Sequence, residues 1–332
     1  MPAVSILLPY HNTAATIDDA VASMVEQTYT DWELLLIDNA STDDGPAHAQ
    51  QWAARDPRIT LLHEPRIGIA HALNTGLAHA RGTTIARMDA DDVSHPERFT
   101  QQVAYLDAHP DVGVVGTRTT FASSVQESRG MQAFVQWQNA LLSPQEHYVK
   151  RFVDAPLAHP TVLFRRALVE HHGGYDTGPL PEDHELWLRW MDADVRFAKL
   201  PQELLTWNDH ARRLSRTHPH YSVDAFFSTK VQWLARWMKR TLTGRPVIVA
   251  GTSALCQERV ALLEAEGIAV QAYTDVKGRG VPGRPFIPHD ALPAAGEAFV
   301  VSFISQRGTG DRIAAFLTGR GLVEGVDFVL AA

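Results

Sequence analysis

The stretch RMDADD, residues 87–92, sets three carboxylates, Asp89, Asp91 and Asp92, within four positions, directly after the short apolar run TTIA. Such residues can end a strand and cap the next helix, with Asp92 or Ser94 as the capping acceptor ahead of a helix beginning near Pro96. They can also hold a hard divalent cation, because Mg2+ and Mn2+ prefer carboxylate oxygens and usually take one or two of them together with phosphate oxygens. A cation there would neutralise charge on a departing diphosphate. A second acidic group opens PEDHELWLRWM (181–191) with Glu182, Asp183 and Glu185. These acids suit the positive end of a helix dipole, and one of them can equally take a proton from a hydroxyl group. The segment DHARRLSR (209–216) adds His210, Arg212, Arg213 and Arg216. It reads either as a set of cations for phosphate oxygens or as a solvated basic loop.

The elements that must position these groups alternate in the first half of the chain. Val4 to Leu8 reads as a buried strand and Thr13 to Gln27 as a helix. WELLLID (32–38) is a second buried strand, Arg58 to Leu62 a third and Thr83 to Met88 a fourth, with a helix over Gly68 to Ala80 between the last two. Continuous apolar strands alternating with helices predict a parallel sheet covered on both faces, which collects ligands at the carboxyl ends of its strands. Three polar clusters, PYHN, DNASTDDG and DADD, fall at those ends. Beyond residue 112 the pattern is less regular: VGVVGTRTTF and HPTVLFRR read as strands, 122–140 as a polar excursion without a period, and 181–191 as a helix.

In this order and spacing, VSILLPYHN, QTYTDWELLLIDNASTDDG, RIGIAHALNTGLAHARG and RMDADDVSHPERF resemble the family-2 glycosyltransferases of the GT-A fold, and HPTVLFRR, GGYD and PEDHELWLRW continue the match across residues 3–216. The resemblance implies an α/β fold with a Rossmann-like mixed sheet, a nucleoside-diphosphate sugar as donor, inversion at the anomeric carbon, Mg2+ or Mn2+ as cofactor and a glycan or glycoconjugate as acceptor. It places Pro9, His11 and Asn12 along the base pocket, with His11 where the family usually has a stacking Tyr. Asp38 matches the carboxylate that accepts a uracil N–H, which points to a UDP-sugar, and Asn39 stands where a second Asp is frequent. Arg66 and Asn74 match positions near the nucleotide, although both are also ordinary surface polar residues. The family's ribose and metal contacts fall on neighbouring acids of MDADD. Asp91 is the expected metal ligand, Asp89 contacts ribose or metal, Asp92 can do either, and sequence alone does not separate the three. Asp183 matches the catalytic base. His210 matches a late histidine that completes the metal shell or touches the diphosphate, with Arg216 nearby. His159, Glu182 and Trp187 are candidates for the acceptor side, with a buried structural role open for His159.

A composition shift at TLTGRP (241–246) predicts a boundary between a glycosyltransferase domain over 1–240 and a small Rossmann-like α/β domain over 245–332. The latter begins VIVAGTSALCQERV, where only Gly251 remains of the dinucleotide fingerprint, so an accessory docking, dimerising or regulatory role is expected rather than dinucleotide chemistry. The helix before it mixes Phe226, Phe227, Trp233 and Trp237 with Lys230, Arg236, Lys239 and Arg240. That pattern fits packing with the cations snorkelling outward, and also peripheral contact with an anionic membrane face. A net charge of −8 gives no basic field for nucleic acid. A single cysteine, Cys256, excludes a disulfide framework and agrees with a cytoplasmic setting. No apolar run approaches the roughly 18 residues of a membrane span, and the start MPAVSILLPYHN turns polar too quickly for a signal peptide. Three other readings compete. A non-catalytic nucleotide-sugar scaffold or sensor would bind without turnover. An oxidoreductase or a nucleotidyltransferase would need glycine-rich phosphate loops that this chain lacks.

Overall fold

The structure, a computed structural model, describes residues 1–126, 128–306 and 308–332. Contacts divide it into two units, one of residues 1–147 and 156–221, the other of residues 148–155 and 222–332.

The first unit is built on eight strands: β1 (Val4–Tyr10), β2 (Trp32–Asp38), β3 (Ile59–His63), β4 (Thr84–Arg87), β5 (Val93–Ser94), β6 (Val112–Ser123), β7 (Leu163–Arg165) and β8 (Arg196–Asp209). Their order in the sheet is β3-β2-β1-β4-β7-β6-β8-β5. The parallel sheet expected from the apolar runs is present as β3-β2-β1-β4. Every residue of β1 is buried, as two covered faces require. The sheet then turns mixed, because β7 runs antiparallel to both β4 and β6, and β5 antiparallel to β8. Apolar runs report burial and not direction, so these reversals leave no mark in the sequence.

The seating of β4 beside β1 has a local cause. A Cβ on Gly82 would stand 2.6 Å from the Ser5 backbone nitrogen, so only glycine admits this approach. Gly82 N–H donates to Ser5 Oγ at 2.8 Å, and Ser5 Oγ donates to the buried Glu33 at 2.6 Å. This lock fixes where β4 delivers residues 88–92. The polar excursion expected over 122–140 is in part a helix, Arg129–Ala140, which buries Val135 and Gln138. The helix after RMDADD begins at Arg98 with Glu97 as its N-cap residue and no side-chain cap, so neither Asp92 nor Ser94 caps it.

The second unit carries a parallel sheet of β9 (Val247–Ala250), β10 (Val270–Thr274), β11 (Phe299–Ser302) and β12 (Phe328–Leu330), in the order β10-β9-β11-β12. The helix Val223–Thr241 is part of this unit. Phe227 packs on Phe303 and Trp237 on Phe299, each with ring centroids 5.6 Å apart, while Arg236, Lys239 and Arg240 face outward. Of the cations on this helix Lys230 is the exception, buried with Nζ 3.0 Å from the Val153 carbonyl. The boundary drawn from composition falls after this helix, whereas the contacts draw it before. Among the described residues no helix is long and apolar enough to cross a membrane.

Candidate active site

The three carboxylates of RMDADD offer oxygens that all lie within 4.8 Å of one another. They differ in what already holds them. Asp89 pairs with Arg87 and lies 3.3 Å from Arg213 Nη2. Burial alone would raise the Asp89 carboxyl, but the two guanidinium charges outweigh it and hold the group below its ordinary range. Asp92 is fully inside: its Oδ1 accepts from Asn208 N–H at 2.8 Å and Arg213 Nη1 at 3.2 Å, and its Oδ2 has no hydrogen-bond partner among the described residues. Burial, with the charges of Asp89 and Asp91 added, pushes Asp92 well up despite Arg213. Asp91 is half-buried, and its Oδ2 lies 2.9 Å from His210 Nε2. The basic loop is thus not merely solvated. Arg213 is 8% exposed, lies 4.5 Å over the Trp207 ring and donates to the Asn208 carbonyl at 2.7 Å. A cluster of carboxylate oxygens with one buried oxygen unpartnered and an imidazole at its edge fits a hard divalent cation, with Asp91, Asp89 and His210 able to hold it.

The second acidic group lies at the start of the helix Glu182–Asp192. Asp183 is half-buried and its Oδ1 accepts from His184 N–H at 2.7 Å. Glu182 is buried against Tyr221, whose hydroxyl donates to Oε2 at 2.5 Å, and lies 3.7 Å from His159 Nδ1. His159 is itself buried, with Nε2 2.8 Å from the Tyr175 hydroxyl, and burial together with the Arg87 charge pushes its imidazole well down. Trp187 has no exposed surface. It packs between His159, Trp190 and Phe197, so it is a core side chain and cannot touch an acceptor directly.

This geometry meets a family pattern. Residues 5–173 match the family model described as glycosyl transferase family 2. The chain belongs to this family. As a family-2 member it is a glycosyltransferase. It is 32% identical over 232 residues to EpsE of Bacillus subtilis (strain 168), covering 67% of this chain and 79% of that protein. It is 28% identical to the O-antigen biosynthesis glycosyltransferase WbnJ of Escherichia coli, covering 72% of this chain and 91% of WbnJ. Among solved structures, mannosyltransferase PcManGT from Pyrobaculum calidifontis, in complex with GDP-Man and Mn2+, superposes with a TM-score of 0.51 at 23% identity, covering 80% of this chain and 69% of that one. TarS (residues 1–349) of S. aureus in complex with UDP-GlcNAc gives 0.53 at 15% identity, covering 73% of each chain. These likenesses give the GT-A fold.

The glycosyltransferase's remaining candidates lie at the ends of β1 and β2. Tyr10 and Asp38 are register partners, and Asn39 N–H donates to the Tyr10 carbonyl at 2.8 Å. Pro9 is buried within β1, whereas His11 and Asn12 are exposed. His11 Nδ1 lies 2.7 Å from the Asn39 carbonyl, and Asn12 Oδ1 accepts from Thr42 N–H at 2.7 Å. Asp38 accepts from Ser41 N–H at 3.0 Å and lies 3.1 Å from His63 Nδ1. Asn39, Arg66 and Asn74 also make contacts within the fold. Asn39 donates to the Glu64 and Arg66 carbonyls and accepts from Gly68 N–H, which pins the 64–68 loop. Arg66 makes a two-pronged pair with Glu64. Asn74 bonds both the N–H and the carbonyl of Tyr175. Arg216 is forked onto Asp209, and Arg213, not Arg216, joins Arg87 at the central carboxylates. Arg87, Tyr175 and Tyr221 carry no role that the sequence pattern alone points to. Arg87 stood next to the acids it serves, and that adjacency was the one usable signal. Tyr221 joins Glu182 only through tertiary folding.

Proposed function

We propose that the chain is a metal-dependent, inverting glycosyltransferase that moves a sugar from a nucleoside-diphosphate donor, UDP-linked, to a hydroxyl of a glycan or glycoconjugate. The observation that carries this reading is the Asp91–His210 pair at the edge of a carboxylate cluster whose other members are engaged by Arg87 and Arg213. A divalent cation held by Asp91, Asp89 and His210 would supply charge neutralisation for the diphosphate when bound. Arg213 keeps a fixed positive charge beside the same carboxylates. Asp183, at the positive end of its helix, takes the acceptor hydroxyl proton as that oxygen bonds to the anomeric carbon. The bond from that carbon to the diphosphate oxygen breaks, and the diphosphate departs with the electron pair. One displacement inverts the centre and needs no carboxylate nucleophile.

A polysaccharide acceptor is favoured by the names of the relatives, which include O-antigen and amylovoran biosynthesis glycosyltransferases. The two solved complexes carry different bases, GDP-Man and UDP-GlcNAc, so the choice of UDP rests on Asp38. A thermal-shift panel of UDP-, GDP-, CDP- and dTDP-sugars with and without Mn2+ tests the donor and the metal together: stabilisation requiring both is expected. Asp183→Asn is expected to keep that stabilisation and lose transfer by at least about 100-fold. Near-wild-type turnover by this variant would remove Asp183 from the mechanism. Donor binding by the wild type without turnover on any acceptor would favour a scaffold or sensor instead.

A further inference from the structure

Glu182, one residue before Asp183, is only 4% exposed. The groups that face it come from four elements and from the loop that carries Tyr175. Asp183 is on its own helix, Tyr221 comes from the turn Pro219–Tyr221, His159 from the turn His159–Thr161, and Arg87 from β4. Among the described residues no lysine or arginine forms an ion pair with Glu182, and the Arg87 guanidinium is paired with Asp89. Two carboxylates one residue apart cannot both ionise cheaply when one is buried without a cation.

We propose that Glu182 is a positioning residue held as the neutral acid by its burial beside Asp183 without a paired cation, so that Asp183 and not Glu182 carries the charge when an acceptor hydroxyl arrives. The proposal rests on Asp183 being the base. Its physical basis is burial, which pushes Glu182 from its ordinary 4.5 up to about 8, with the Asp183 charge adding and the Tyr221 hydroxyl and Arg87 opposing. The sign follows by linkage. Below pH 4.5 both folded and unfolded chains hold this proton. Between 4.5 and about 8 only the folded chain holds it, so stability falls as pH rises through that window and levels off above it.

The test is thermal unfolding of the full chain from pH 5 to pH 9 for the wild type, Glu182→Gln, Tyr221→Phe and Asp183→Asn. Glutamine keeps an acceptor for Tyr221 and cannot ionise. The Tm of Glu182→Gln should rise relative to wild type as pH increases, with the gap widening by at least about 2 °C. Tyr221→Phe removes a bond that favours the ionised form, so the wild-type slope should extend to higher pH. Asp183→Asn removes the repelling charge, so the slope should end at lower pH. A constant gap for Glu182→Gln, or a slope unmoved in both other variants, would overturn the proposal. Unfolding needs no substrate, so these outcomes stand apart from the turnover of Asp183→Asn, which judges the base itself.

Discussion

Arg213 touches two of the three central carboxylates, and what it does for each is separable. Asp89 also has Arg87, whereas the buried Asp92 has Arg213 as its ion-pair partner among the described residues, accepts from the Asn208 N–H and feels the charge of the buried Arg98. Arg213→Met should therefore cost about 3 to 5 kcal/mol at neutral pH by leaving a buried carboxylate without its cation. The loss should shrink as pH falls, because protonated Asp92 needs no counter-charge and burial already pushes its proton affinity up. Adding Asp92→Asn should recover much of it, and denaturant unfolding of both single variants and the double variant measures the coupling. At this scale the sequence was informative about types and poor about partners. The acids of DADD and the cations of HARRLSR were legible as two groups. That Arg213 rather than Arg216 would meet the acids was not, because Arg216 is captured by Asp209, itself the last residue of β8.

Among the elements, the buried strands of the first half can be read closely, because fully buried parallel strands need unbroken apolar runs, whereas the helix Gly45–Arg55, which buries Gly45 and Ala49, leaves no such run. WELLLID is β2 end to end. The helix Arg129–Ala140 leaves little period in the sequence because its inward face is thin: Val135 is fully buried and Phe134 only partly, among glutamines and asparagine. The clamp made by the helix Ile69–His79 was equally invisible. Asn74 on that helix bonds both backbone groups of Tyr175, 101 residues away, and its Oδ1 lies 2.6 Å from where a Cβ on Gly174 would stand. The side chain acts as a short strand partner, and so sets Tyr175 against His159. Asn74→Ala should leave two partly buried backbone groups unpaired, at about 1 to 3 kcal/mol. If the clamp serves the site as argued, the variant should also lose turnover beyond what its fraction unfolded explains, which turnover well below its Tm would measure.

At the level of the whole molecule, the second unit takes its residues from two stretches of chain, 148–155 and 222–332. The short stretch is integral to it. Trp237 Nε1 donates to the Tyr148 hydroxyl at 3.1 Å, the Phe152 ring lies tilted against Trp237 with centroids 5.8 Å apart, and Lys150 pairs with Glu324 at 2.7 Å. A composition shift marks where one kind of sequence gives way to another, and it cannot register that eight earlier residues fold with the later part. The consequence is testable by dissection. A fragment of residues 245–332 lacks Phe227 and Trp237, so Phe303 and Phe299 lose the rings that cover them. Each such loss costs about 1.5 to 3 kcal/mol of burial, which is a large share of what a domain this small can hold in reserve. That fragment should bind hydrophobic dye and melt without a cooperative transition. A fragment of residues 222–332 should unfold cooperatively but at a lower Tm than the unit in the full chain, and linking residues 148–155 to it should raise that Tm. Cooperative unfolding of 245–332 alone, at the temperature seen for the longer fragments, would mean that the four-stranded sheet is self-sufficient and that the helix and the short stretch only decorate it.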